Sequence, residues 1–219
     1  MQFDKNSKFL VTGASEFIGS KLVELLLEND VQIFSLVRTQ KSANPNSKIV
    51  LGDLADPKFS VPDENFDVVF HLASHTPLEK NKKILENVNY NGTKNLFRAV
   101  KNKTKSIVYV SGLAIFDSKN IEINEDSPIN PDTLFTQLRV KAEEFLAEEC
   151  KNNNIRYSTA YVGDIVYGNG GFFKSEILDR LKKGSFRIPG KGSYFKNFVH
   201  VDDVVGALVA IVKKDMMNQ

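Results

Sequence analysis

Phe9-Leu10-Val11-Thr12-Gly13-Ala14-Ser15-Glu16-Phe17-Ile18-Gly19-Ser20 is the stretch whose reading decides the fold. Apolar and β-branched residues run into small ones, and an apolar pattern with helical spacing follows, so the order is strand, tight turn, helix. Gly13 lets the chain turn sharply at the strand end, and Gly19 lets the helix pack closely on the sheet. Around the turn, Ser15, Glu16, Phe17 and Ile18 open a helix whose first N–H groups point at whatever lies beyond the strand, the geometry that grips a dinucleotide pyrophosphate. One residue is out of place. Glu16 stands where the common Thr-Gly-x-x-Gly-x-x-Gly pattern has its middle glycine, and a carboxylate there repels nearby phosphates.

Outward from this stretch, β-rich and helical segments alternate. The pattern predicts strand 8–12, helix 18–29, strands 31–37, 48–51 and 67–72, helix 81–101, strand 106–111, helix 134–152 and strand 155–161. Asp67-Val68-Val69-Phe70-His71-Leu72 and Ser106-Ile107-Val108-Tyr109-Val110 are nearly continuous apolar runs, as strands covered on both faces must be. The fold class expected is α/β, a Rossmann-like doubly wound parallel sheet. After about residue 162 the pattern becomes irregular, with Gly163, Gly168, Gly170 and Gly171 close together, a helix near 172–183, and Pro189-Gly190-Lys191-Gly192. Residues 1–161 therefore read as a dinucleotide-binding domain. Residues 162–219 read as part of a substrate lobe, interleaved with the last core elements and lying over the strand ends.

Composition narrows the function classes. The chain has 219 residues, 42% hydrophobic and 26% charged, with a net charge of +2, so it reads as a soluble globular chain and not as a nucleic-acid binder. No apolar run approaches the roughly 18 residues of a membrane span, and Asp4 and Lys8 stand where a signal peptide is apolar, so no membrane partner and a cytoplasmic location are expected. Cys150 is the single cysteine, which excludes an internal disulfide; no metal site is expected.

Together these residues resemble the extended short-chain dehydrogenase/reductases, the group of nucleotide-sugar epimerases, dehydratases and related reductases. The motifs in order are Thr12 to Gly19, Gly52-Asp53-Leu54, His71-Leu72-Ala73-Ser74, Asn89-Tyr90-Asn91-Gly92-Thr93, Tyr109-Val110-Ser111, Lys141 with Glu144, Val166-Tyr167-Gly168 and Phe198-Val199-His200-Val201-Asp202-Asp203. The resemblance implies a nicotinamide cofactor, hydride transfer on a nucleotide-sugar, and a homodimer contact through helices 81–101 and 134–152.

It also implies roles. Asp53 accepts from the adenine amino group while Leu54 covers the ring; the other reading of Asp53 is a turn aspartate. Leu72, Ala73 and Ser74 let the cofactor approach the backbone. Asn89 steadies the active-site framework, or is a helix-surface asparagine. His71 reads as a core histidine rather than a base. At the end of the second strand Val37 replaces the acidic residue that binds the ribose hydroxyls of NAD, and Arg38, Thr39 and Lys41 follow, so NADP is favoured over NAD unless Arg38 is a plain loop arginine.

The resemblance implies a Tyr-x-x-x-Lys pair on helix 134–152. Lys141 supplies the lysine, and Gln137 stands at the tyrosine position, an amide that binds a hydroxyl but exchanges no proton near neutral pH. Gly112 takes the place of the strand-end serine or threonine, with Ser111 one residue early, so Gln137 and Ser111 are left to bind the reacting oxygen. Tyr161 and Tyr167 border the site and offer another phenol. Lys196 meets a substrate diphosphate or is a surface lysine, and Asp202 and Asp203 cap the following helix. Family members continue further to complete the substrate lobe, so a partial lobe is expected. The departures at Glu16 and Gln137 also leave open a relative that binds a dinucleotide or sugar nucleotide with impaired or no catalysis.

Overall fold

A computed structural model of the chain describes residues 3–117, 122–188, 190–192, 196–214 and 216–217. In chain order the first half runs β1 (Lys8–Thr12), α1 (Phe17–Leu27), β2 (Gln32–Val37), β3 (Lys48–Leu51), β4 (Val68–His71), α2 (Lys82–Glu86), α3 (Gly92–Val100) and β5 (Ser106–Gly112). α4 (Leu134–Asn152), β6 (Arg156–Val162), β7 (Ile165–Tyr167), α5 (Asp179–Lys182), β8 (Phe198–His200) and α6 (Val201–Lys213) follow. The main sheet has the order β3-β2-β1-β4-β5-β6, all parallel. The order reverses between β1 and β4, and at that switch point the loops leaving Thr12 and His71 open a crevice at the carboxyl edge.

Alternation along the strands makes two cores. Phe9, Val11, Phe70 and Val108 point to the face covered by α1 and α6, against Leu22, Leu26, Val205 and Leu208. Leu10, Val69, Ile107 and Tyr109 point to the other face, against Leu96, Phe97, Ala142 and Leu146 of α3 and α4. Cys150 is buried in this second core and its thiol is pushed up to about 12 by burial, so it is inert.

Two expected helices are interrupted. The segment expected as helix 81–101 widens into a π-helical turn at Asn87–Asn91, which turns Asn89 inward. The one expected near 172–183 starts with a π-helical turn at Phe173–Leu178 and ends as α5. Beyond β6, β7 and β8 pair in a separate two-stranded sheet, but α6 returns to the main core because Val204, Val205, Leu208, Val209 and Val212 line one helical face. Pro189, Ser193, Tyr194 and Phe195 of the glycine-rich turn, with Asp215, Asn218 and Gln219, lie outside the described residues. No described helix is long and apolar enough to cross a membrane.

Candidate functional site

The turn after β1 is built against the end of β4. Gly13 has φ +68°, and a Cβ there would sit 3.0 Å from the Ala73 nitrogen and 3.2 Å from the Leu72 carbonyl carbon. A Cβ on Gly19 would land on the Gly13 carbonyl oxygen, so both positions require glycine. Glu16 is the N-cap of α1, exposed, and its side chain makes no bond to the helix. α4 and α6 are different: Thr133 forms a capping box with Thr136, and His200 Nδ1 accepts from Asp202 N at 3.3 Å. The cap of α6 is thus His200, and Asp202 and Asp203 lie in its first turn rather than capping it. At α1 the N-cap side chain, Glu16, leaves the first-turn N–H groups uncapped, and among the described residues no other side chain caps them. Ile18 packs against the α1-side core, and the Phe17 ring lies under Gly170 and Gly171, where added Cβ atoms would come within 2.7 and 2.5 Å of it.

Behind the turn a buried chain of hydrogen bonds ties the strand ends together. Thr12 Oγ1 accepts from Leu72 N at 3.1 Å and Ala73 N at 3.0 Å, which leaves its hydroxyl proton for His71 Nδ1 at 2.8 Å. His71 Nε2 therefore carries the ring proton and donates to Thr93 Oγ1 at 2.9 Å, whose own proton goes to the Asn89 carbonyl. The Asn89 side chain clamps the His75 backbone, accepting from its nitrogen at 2.8 Å and donating to its oxygen at 3.1 Å. Burial, with the nearby Arg139 cation adding to it, holds His71 down to about 3, so it is a neutral core histidine. Asn89, 3% exposed, is a framework residue and not a surface asparagine.

The rim is more open. Arg38 and Thr39 are exposed at the end of β2, after buried Val37. Asp53 Oδ1 accepts from Ala55 N at 2.9 Å, a turn bond, and its carboxylate is exposed. Leu54 is packed in the α3-side core, its Cβ 3.1 Å from where a Cβ on Gly92 would lie. Lys196 is paired with Asp164 at 3.1 Å, and the Tyr167 ring rests edge-on against Phe173 and His200.

α4 corrects the expected catalytic pair. Gln137 and Lys141 are both exposed and are not brought to the crevice; Gln137 Nε2 reaches only the Pro131 carbonyl, at 3.5 Å. The residues turned toward the strand ends are Phe135 and Arg139, at the same i, i+4 spacing. A two-residue offset rotates a helical side chain by about 200°, to the opposite face. Arg139 donates to Ser74 Oγ at 3.1 Å and to the Val110 carbonyl, and its Nε is buried without a partner among the described residues. The signal was present in the sequence, since phenylalanine lacks one hydroxyl of tyrosine and arginine keeps the charge of lysine.

Ser111, 2% exposed, faces α4 beside the Glu143 carboxylate. Tyr161 donates to Glu143 Oε1. Burial and then the Glu143 carboxylate push the Tyr161 phenol above its ordinary range, so it is a poor replacement base. Burial pushes the Glu143 carboxyl up as well, more than the Tyr161 bond lowers it. Among the described residues no three His, Cys, Asp or Glu side chains are grouped to hold a metal.

Residues 9–218 match the NAD dependent epimerase/dehydratase family. The chain is 25% identical over 242 residues to a UDP-glucose 4-epimerase of Lactobacillus helveticus, covering 95% of this chain and 73% of that protein. It is 32% identical over 205 residues to the human decarboxylating sterol-4-alpha-carboxylate 3-dehydrogenase, covering 89% of this chain and 54% of that protein. The crystal structure of a UDP-glucuronic acid 4-epimerase from Bacillus cereus superposes with a TM-score of 0.82 over 94% of this chain and 73% of that one, at 22% identity, a likeness of fold.

Proposed function

The chain belongs to the NAD dependent epimerase/dehydratase family, and from that premise we propose that it binds a nicotinamide dinucleotide across the carboxyl edge of the sheet and acts by hydride transfer on a nucleotide-linked sugar. The observation that carries the reading is the uncapped start of α1 set over the Gly13 turn at the β1–β4 switch point. The crevice fits the group: glycine is required where the backbone must be approached, and the N–H groups of Phe17, Ile18 and Gly19 suit a pyrophosphate. When bound, the nicotinamide supplies the hydride acceptor or donor. Asp53 and Leu54 border the adenine end, Arg38 and Thr39 suit a 2′-phosphate and favour NADP, and Ala73, Ser74 and Arg139 line the nicotinamide end. The sugar-nucleotide class is drawn from relatives such as the UDP-glucose 4-epimerase, with Lys196 and Tyr167 on the lobe side.

A second reading, binding with little or no turnover, is favoured by Phe135, which has no ionisable group to trade a proton with a substrate hydroxyl. Titration calorimetry with NADP and NAD, followed by a turnover assay over a panel of nucleotide-sugars, tests both. Binding with turnover supports the first reading. Binding without turnover supports the second, and no binding of either dinucleotide overturns both.

A further inference from the structure

The net charge of +2 is unevenly spread. Arg180 to His200 holds six lysines and arginines and no acidic residue, so the remainder of the chain is net negative. The acidic residues just upstream are already engaged, Glu176 with Arg180 at 2.6 Å and Asp179 with Lys174 at 3.1 Å. Lys182, Lys183, Arg187 and Lys191 are exposed and have no carboxylate partner among the described residues.

These cations stand on an arm of the lobe. α5 ends at Lys182, and a turn closes behind it, the Gly184 nitrogen donating to the Leu181 carbonyl at 3.0 Å and the Ser185 nitrogen to the Arg180 carbonyl at 2.9 Å. Gly184 and Gly190 have φ of +64° and +61°, and a Cβ added at either meets no atom within 4 Å, so the backbone at both points stands clear of the rest of the protein. From 180 to 188 only Phe186 is half-buried. Leu181 and Ile188 are 53% and 67% exposed.

A single aliphatic side chain in water is ordinary on a protein surface. Here two of them lie beside unpaired cations on one projecting segment. An anionic bilayer surface satisfies both kinds of group at once: headgroup phosphates and carboxylates take the ammonium and guanidinium groups, and the aliphatic side chains pass below them. The lysine and arginine stems are long enough to lie against that apolar layer while their charges stay at the headgroups. A nucleic acid answers the cations but leaves Leu181 and Ile188 in water.

We propose that this arm docks the protein on an anionic phospholipid bilayer, with Lys182, Lys183, Arg187 and Lys191 on the headgroups and Leu181 and Ile188 below them. This is adsorption onto a membrane, for which no spanning helix is needed, and it does not depend on the cofactor reading.

Co-sedimentation of the full chain with sucrose-loaded vesicles tests it, using two parts phosphatidylcholine to one of phosphatidylserine, and phosphatidylcholine alone. The expected result is binding to the mixed vesicles and none to the neutral ones. The double variants Lys182→Glu with Lys183→Glu, and Leu181→Ser with Ile188→Ser, are each expected to bind about tenfold or more weakly. All four positions are exposed, so both variants should melt with the wild type. Raising salt from about 0.1 M to 1 M should weaken the wild type by a similar factor, a measurement that needs no variant. No binding to the mixed vesicles, binding that salt or either double variant leaves unchanged, or retention by single-stranded DNA without binding to the vesicles overturns the proposal.

Discussion

The guanidinium carbon of Arg139 lies 5.2 Å from the centre of the Phe135 ring, one helical turn away, and 5.9 Å from that of Tyr109. A cation between two rings stands at the mouth of the crevice, hydrogen-bonded to the strand ends beside it, and the ring one turn back on its own helix, Phe135, carries no hydroxyl.

Restoring that phenol should restore chemistry. The triple variant Phe135→Tyr, Arg139→Lys, Gly112→Ser is expected to exceed wild-type turnover of a nucleotide-sugar by about 10²-fold, the low end of what a positioned acid/base contributes. Gly112 accepts the serine, because its φ is −149° and an added Cβ meets only the Val162 carbonyl oxygen, at 3.7 Å. Cofactor absorbance during turnover measures the gain; an unchanged rate would remove hydride transfer from this crevice.

Glu16→Gly is expected to tighten dinucleotide binding about fivefold, since one carboxylate a few ångströms from a phosphate in a solvated site costs about 1 kcal/mol. Its melting temperature should stay near that of wild type, because the Glu16 side chain caps nothing. Calorimetric titration of both proteins with NADP checks this, and equal affinities would place the phosphates away from the start of α1.

His71 makes stability acid-sensitive. Its folded pKa is held down to about 3 while the unfolded ring titrates near 6.5. The neutral ring therefore contributes its full stability above about 6.5, and that contribution is lost as pH falls toward 3, at about 1.4 kcal/mol per pH unit. Urea midpoints between pH 7 and 4.5 should fall accordingly, and His71→Gln should flatten the slope. A slope equal in the two proteins would contradict the assignment.

Two glycines are expected to respond in opposite directions. Gly19→Ala drives a methyl group into the Gly13 carbonyl and should cost about 3 kcal/mol or more. Gly206→Ala, within α6 where an added Cβ meets nothing within 4 Å, should stabilise by about 0.5–1 kcal/mol. Denaturant melts of both variants provide the comparison.

The architecture was legible from local pattern because burial on both faces forces continuous apolar strands, and each of β1, β2, β4, β5 and β6 lies within a residue of its expected span. The first turn was legible through its spacing and through Gly19, which answers to the nearby Gly13 carbonyl, whereas the close approach that requires Gly13 comes from Leu72 and Ala73 at the end of β4. The π-helical turn at Asn87–Asn91 was not, because its cause is the clamp of Asn89 on His75, a contact between segments that meet only after folding.

By itself the sequence determined the strand and helix segments of the parallel sheet, the place of the glycine turn and the apolar setting of His71, since periodicity and residue size mark these along the chain. Which face of α4 meets the strand ends was decided only by the tertiary structure. Gln137–Lys141 and Phe135–Arg139 satisfy the same i, i+4 spacing, and the packing of Leu138, Ala142 and Leu146 into the core turns the second pair inward and leaves the first in water.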